Sequence, residues 1–502
     1  MRIAVILVAV SIRWATAAVN RAAPAVPAVL ATLTCPSKST QCSAAPNIAA
    51  MTATTVGAGL GSVGCCSGSN ATCCGDGRHC CPKGYRCPAA EYRGSLHSSD
   101  PPHCEAADPI KHPYTTWQPL WNLCFGPLTT YRLENITGAA AGKEGLFLQY
   151  FSSGGPIPES HVTSTKERQQ SAPQPARFRA AVVVVHGADR NADEYFCAMR
   201  EASVLQQQYA PGEVLVIAPW FKAAPPDTTL PGEVYWPGGD PNGVWRAGRE
   251  SDPAADPSGA GRTVSSYTVL DRIAAALLAL PGIELVTVAG HSSGGQTVQR
   301  WGFASDVAAE GAVLPTKLAG FESASSASAS HPVRLVVANP SSYVYLDDRR
   351  WNYSSPTGLP PWTTDDLMPV SAAKAEACPG WNQWEWGIVP GNAPPYVTAA
   401  LSRHGAAALV ARYASTNTTY LLGGNDTCNE ALKPGCDSHG LETTCQDMME
   451  GPFRLYRGQH YAAYLRILYG RPVHRIAVVH DVGHDHTLMF QSRQGLAAIF
   501  GA

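Results

Sequence analysis

The chain has 502 residues, a formal net charge of −2, only 15% charged residues, and 46 glycines with 40 prolines. That length exceeds what one compact core usually takes up, so two domains are expected. The near-neutral balance lacks the basic excess of a nucleic-acid binder, and no nucleic-acid partner is expected.

The first residues, MRIAVILVAVSIRWATAAV, place Arg2 before an apolar run from Ile3 to Ile12, which Arg13 interrupts. The run is about half the length needed to span a bilayer, and the small residues Ala15-Thr16-Ala17 follow it. A cleaved signal over residues 1–17 is therefore expected rather than an anchor, and no later stretch is long and apolar enough to span a membrane. Sixteen cysteines behind such a leader point to an oxidising compartment. Acceptor triplets at Asn70, Asn135, Asn352 and Asn417 make these the expected glycosylation sites. The expected destination is secreted or vacuolar/lysosomal.

Ten of the cysteines fall between Cys35 and Cys104. The stretch GCCSGSNATCCGDGRHCCPKGYRC holds three adjacent pairs, Cys65-Cys66, Cys73-Cys74 and Cys80-Cys81, and then Cys87. So short and polar a segment cannot bury a core, so disulfides must hold it together. Adjacent cysteines are not the Cys-x-x-Cys spacing of zinc sites, and no metal is expected. The seven cysteines, with Asp76, His79, Pro82 and Gly84, resemble a granulin module. Upstream, Cys35 and Cys42 are present without the middle pair, and the gap from Cys87 to Cys104 is long, so the front of the module reads as degenerate. The resemblance implies a module at 35–104 without catalytic residues, suited to contact with a protein or glycan.

Residues 105–177 read as a linker and the start of the catalytic region, with a Pro- and Ser-rich stretch from Ser152 to Ala176. From residue 178 to 502 the texture changes to apolar, β-branched runs: RAAVVVVHG, EVLVIAPWF, ELVTVAG, VRLVVANP, TTYLLGG and HRIAVVHDVG. SSYTVLDRIAAALLAL has helical spacing ended by Pro281-Gly282, and PYVTAALSRHGAAALVARY also reads as helical. Strands buried on both faces and alternating with helices predict an α/β fold with a doubly wound, mostly parallel sheet. Ligands then bind beyond the carboxyl ends of the strands.

The strand ELVTVAG runs into Gly290-His291-Ser292-Ser293-Gly294, which fits G-x-S-x-G. That motif places a nucleophile on a sharp strand-to-helix turn that only small neighbours permit. Ser292 is the expected nucleophile, and the backbone N–H of Ser293 one oxyanion donor. His186-Gly187-Ala188 closes an earlier strand, so the N–H of Gly187 or Ala188 is expected as the second donor, with the His186 side chain structural. A serine needs a base, and the base needs an orienting carboxylate, in the chain order Ser, acid, His. Asp426 and His484 lie just past later strands and are the expected partners; the rivals are Asp437, Asp447 and Asp481 for the acid, and His480 and His486 for the base.

HGADRNADEYF, VSSYTVLDRIAAALL, VAGHSSGGQTVQR, VRLVVANPSSYVYLD, YLLGGND, GPFRLYRG and DVGHDH together make residues 140–500 resemble a group of α/β-hydrolases from fungi and bacteria. The resemblance implies the triad Ser292, Asp426 and His484 and leaves the substrate undefined. No cofactor is expected. Cys428, Cys436 and Cys445 surround the acid loop, and with Cys124, Cys197 and Cys378 they leave the pairing open. The acceptor at Asn425 abuts Asp426, where a glycan would crowd the site, so it is expected to stay bare. Trp236, Trp245, Trp381, Trp384 and Trp386 lie in inserts and are expected to cap the sheet rather than line a cleft. The leading expectation is a serine hydrolase acting on a small-molecule or polymeric ester. An exported peptidase or amidase uses the same parts, and a non-catalytic binding protein on the same scaffold is the reading from a different class.

Overall fold

The computed structural model describes residues 128–136, 145–157, 177–210, 212–225, 227–238, 244–310, 333–351 and 366–501, together with the backbone of six two-residue strands further upstream. The chain divides into two units, Met1–Leu96 with Cys104–Asp108, and His97–His103 with Pro109–Ala502. In the first unit, Thr72–Cys73 pairs antiparallel with Cys80–Cys81, Thr40–Gln41 with Cys65–Cys66, and Tyr85–Arg86 with Glu105–Ala106. The expected signal at 1–17, Cys74, Cys87, Asn70 and Asn352 lie outside the described residues.

The second unit is built on an eight-stranded sheet. Its strands are β1 (Thr130–Leu133), β2 (Leu148–Ser152), β3 (Ala180–Val185), β4 (Val214–Pro219), β5 (Leu285–His291), β6 (Arg334–Ala338), β7 (Asn417–Gly423) and β8 (Arg475–Val479). Their order across the sheet is β1-β2-β4-β3-β5-β6-β7-β8, and β2 alone runs against the rest. Strands β3 to β8 are the six apolar runs expected from the sequence. β1 and β2 fall in the region read as a linker and N-terminal part, where TYRL and LQYFS are short and half-polar and give little signal.

Both faces of the sheet are covered, which is why β3 is apolar at every position. Ala181, Val183 and Val185 join the core on one face, with Trp245, Tyr267, Trp301 and Tyr343. Ala180, Val182 and Val184 join the other, with Phe196, Met199, Phe490 and Ile499. Full burial of each valine side chain contributes about 1.5–3 kcal/mol. On the first face pack α2 (Ser266–Leu278) and α3 (Ser293–Ala304), and on the second α1 (Ala192–Leu205). The Ser265 hydroxyl caps α2 by accepting from Tyr267 N. The segment read as one helical stretch is two helices, α4 (Pro395–His404) and α5 (Ala406–Tyr413). Gly405 separates them at φ 80°, a left-handed conformation that ends a helix. α6 (Arg454–Tyr469) precedes β8, and α7 (His486–Gln491) and α8 (Arg493–Phe500) close the chain over the second face.

The crossing of β5 and α3 depends on missing side chains. A Cβ on Gly290 would lie 2.1 Å from Gly294 O, one on Gly294 would lie 2.2 Å from Val185 O, and one on Gly295 2.6 Å from Ala338 O. Each clash is with backbone, which has no rotamer to move. Gly294→Ala is therefore expected to lower stability by about 1–3 kcal/mol, read as a shift in the urea midpoint. An unchanged midpoint would mean that the helix does not seat this closely on the sheet.

Candidate active site

Ser292 joins β5 to α3 with φ 59° and ψ −124°, a conformation that a non-glycine residue seldom adopts. The Gly290, Gly294 and Gly295 contacts hold it there. Its N–H donates to Ala338 O at 3.0 Å, and the residue keeps 9% of its surface exposed. Ser293 begins a helix of 12 residues, so its N–H belongs to the first turn, where the amides lack intrahelical partners and the dipole favours negative charge.

The loop after β3 approaches the serine from the other side. A Cβ on Gly187 would lie 3.5 Å from Ser292 Cβ and 2.8 Å from Tyr195 Oη, so a larger residue there would press on the phenol. The loop is braced. Arg190 N donates to Gly187 O at 3.2 Å, Arg190 Nη1 to Ala188 O at 2.7 Å, and Arg190 Nε pairs with Asp227 at 2.7 Å. The His186 side chain is engaged at both nitrogens: Phe221 N donates to Nε2 at 3.0 Å, and Nδ1–H donates to Gly187 O at 2.8 Å. Burial pushes its pKa down to about 4, so the ring is neutral.

Of the candidate acids and bases, the structure brings Asp426 and His484 together. His484 Nδ1 donates to Asp426 Oδ2 at 2.7 Å, and both side chains are almost fully buried. Their loops are stitched to each other, since Gly424 N donates to Val479 O and Asn425 N to Val482 O. His484 also lies beside the Ser292 turn, its ring centroid 4.4 Å from that of His291. No hydrogen bond joins Ser292 Oγ to His484 among the described residues, and Nε2 stays uncommitted while Nδ1 faces the carboxylate. Such bonds commonly tighten only when substrate is bound. The rivals sit elsewhere. Asp437 is on the surface, and Asp447 caps a short helix through Thr444 and accepts from Trp386 Nε1. His480 and Asp481 are exposed, and His486 stacks on Tyr195 with ring centroids 4.0 Å apart.

Burial raises the Asp426 pKa, and the Arg454 guanidinium, with Nη1 3.6 Å from Oδ1, opposes that rise. Arg454 is itself buried and holds Ser341 Oγ, Ser438 O and His439 O. It was invisible as a site residue in the sequence, because nothing in GPFRLYRG says that its fourth residue reaches back to the strand ends. Burial lowers the His484 pKa well below 6.5, and the Arg454 guanidinium beside it lowers it further. Asn339 was also missed. Its Oδ1 accepts from Gly423 N at 2.7 Å and its Nδ2 donates to Gly483 O at 3.1 Å, so one amide ties the strand end before Asp426 to the loop of His484.

Disulfides Cys428–Cys436 and Cys378–Cys445 pin the segment after the acid, and Cys197 is also disulfide-bonded. Trp236, Trp245 and Trp384 are completely buried, as expected of residues capping the sheet, and Trp381 and Trp386 are partly buried. Asn425 is exposed beside Asp426, whereas Asn135 and Asn417 are half-buried.

Residues 54–93 match the granulin family model. The match leaves out Cys35, Cys42 and Cys104, which the expected module at 35–104 included. No curated protein matches the chain. Among solved structures the chain is similar to a poly(3-hydroxybutyrate) depolymerase from Bordetella parapertussis, with 18% identity and a TM-score of 0.39 over 74% of this chain and 89% of that one. It is likewise similar to poly(aspartic acid) hydrolase-1 from Sphingomonas sp. KT-1, with 18% identity and a TM-score of 0.39 over 72% and 96%. The siderophore hydrolase EstB from Aspergillus nidulans gives 13% identity and a TM-score of 0.31 over 74% and 94%. The strand order, the single reversed strand and the serine turn after the fifth strand define an α/β-hydrolase fold in the second unit.

Burial and the Arg454 charge together should keep His484 below its ordinary value. In isotope-labelled protein, NMR titration of the His484 ring is expected to give a pKa under 6.5. A value above 6.5 would mean that Asp426 outweighs burial and the Arg454 charge.

Proposed function

We propose that this protein is a serine hydrolase that cleaves an ester through an acyl-enzyme on Ser292. The observation that carries the reading is the His484–Asp426 hydrogen bond of 2.7 Å beside a serine held at φ 59° on the turn between sheet and helix. In this mechanism Ser292 Oγ attacks the ester carbonyl carbon while His484 Nε2 takes the hydroxyl proton. Asp426 keeps the other ring proton on Nδ1 and stabilises the imidazolium that forms. The N–H groups of Ser293 and of Gly187 or Ala188 receive the charge on the carbonyl oxygen. The tetrahedral intermediate collapses by releasing the alcohol, which takes its proton from His484. Water then repeats the sequence on the acyl-enzyme and frees the acid.

The lowered pKa of His484 supports this assignment, because a ring that is neutral at neutral pH can accept a proton. The short apolar leader and the cysteine-rich start support export to an oxidising compartment. The granulin-matching segment is assigned an accessory role in contact with a protein or glycan, apart from the chemistry. No helix among the described residues is long and apolar enough to cross a membrane.

A fluorophosphonate probe is expected to label the full chain at Ser292. Ser292→Ala should abolish labelling and cut ester turnover about a million-fold. Labelling that survives the substitution contradicts the nucleophile. With matched ester and anilide substrates the ester is expected to be cleaved faster, and cleavage of the anilide alone would make the protein an amidase.

A further inference from the structure

We infer that Tyr195 is a further catalytic residue, a hydroxyl donor to the carbonyl oxygen of the substrate, turned toward Ser292 by a hydrogen-bonded chain through His291 and Asn339. The inference rests on the serine-hydrolase reading above.

The chain can be followed proton by proton. Asn339 has its amide orientation fixed at both ends, by a backbone N–H on Oδ1 and a backbone carbonyl on Nδ2. Nδ2, a donor, also faces His291 Nε2 at 3.5 Å. Nε2 is therefore the unprotonated nitrogen, and the ring proton sits on Nδ1. Nδ1 lies 3.1 Å from Tyr195 Oη, so it donates and the phenol oxygen accepts. The phenol's own proton is left out of that bond and needs another acceptor. His291 keeps a single proton throughout, because burial and the neighbouring His484 and His486 hold its pKa far below the usual value.

Oη sits at the edge of the site. It lies 2.8 Å from the place a Cβ on Gly187 would take, and that same place is 3.5 Å from Ser292 Cβ. The hydroxyl thus borders both the oxyanion loop and the nucleophile. Besides His291, the Gly187 backbone amide donates to it, so its two acceptor positions are taken and its own proton is the uncommitted one. Its ring is held by stacking on His486 and by the edge of Phe490, so the hydroxyl has little freedom to turn away. Burial raises the phenol pKa, and the Gly187 amide opposes this less strongly, so the hydroxyl stays protonated. Its role is to donate a hydrogen bond as charge builds on the carbonyl oxygen. No proton leaves it and no bond at Tyr195 breaks.

Tyr195→Phe removes the hydroxyl and keeps the ring that stacks on His486. It is compared with the unaltered chain and with Ser292→Ala on a p-nitrophenyl ester, with kcat normalised to the sites that a fluorophosphonate titrates to completion. A second readout is affinity for an aryl trifluoromethyl ketone, which adds to the serine and carries a negative oxygen where the ester's would form. The expected result is a fall in kcat of about a hundredfold with KM little changed, and a loss of ketone affinity that matches the loss in kcat/KM. Unchanged kcat overturns the inference. So does a fall in kcat with ketone affinity intact, which would mark a merely structural role. Activity that survives in Ser292→Ala overturns the serine-hydrolase reading itself, whereas a dead Ser292→Ala beside an unimpaired Tyr195→Phe removes only the role of Tyr195.

Discussion

The close crossing of β5 and α3 is the constraint on which the site depends. Three glycines let the backbone of the helix come within a Cβ radius of Val185 O, Ala338 O and the strand that precedes it. That approach forces Ser292 into a left-handed conformation and aims its N-terminal helix turn at the strand ends. The geometry is costly for an isolated residue, of order 1–3 kcal/mol, and persists because the surrounding packing over-determines it. Beside the fixed turn, the loop after β3 passes with Gly187 between Tyr195 and Ser292.

The second half of the site is an electrostatic compromise. Asp426 and His484 sit where solvation is poor, which disfavours charge on either. Arg454 works on both in the direction that catalysis would use: it opposes protonation of the carboxyl and opposes protonation of the imidazole. It can do so because its remaining hydrogen bonds go to Ser341, Ser438 and His439, which keeps a buried guanidinium satisfied. The same contacts tie the disulfide-pinned segment after the acid to the strand ends. Asn339 adds a neutral clasp between the loops of Asp426 and His484, so that the two side chains keep their relative position.

The parts legible in the sequence were those with local signals. Apolar runs of β-branched residues marked β3 to β8, because a strand buried on both faces needs no alternation. G-H-S-S-G marked the turn, because glycine is the only residue that tolerates such contacts. Asp426 and His484 were favoured over their rivals from position just past a strand, and the geometry that pairs them is a distance between loops 58 residues apart, which spacing cannot give. Arg454, Asn339, His291 and Tyr195 acquire their meaning only from contacts across the fold. Asn339, followed by proline, reads as an ordinary turn, and Tyr195 as an aromatic in an amphipathic helix. β1 and β2 went unread because short antiparallel strands with polar positions carry no pattern that distinguishes them from loops.

In the proposed reaction Ser292, and not its neighbour, carries the acyl group while His484 moves the proton. Acid quench during steady ester turnover, followed by peptide mapping by mass spectrometry, tests it most directly. The acyl mass is expected on Ser292 in the unaltered chain and should disappear in His484→Ala. An acyl group on Ser293, or turnover with no acylated peptide at all, would contradict it.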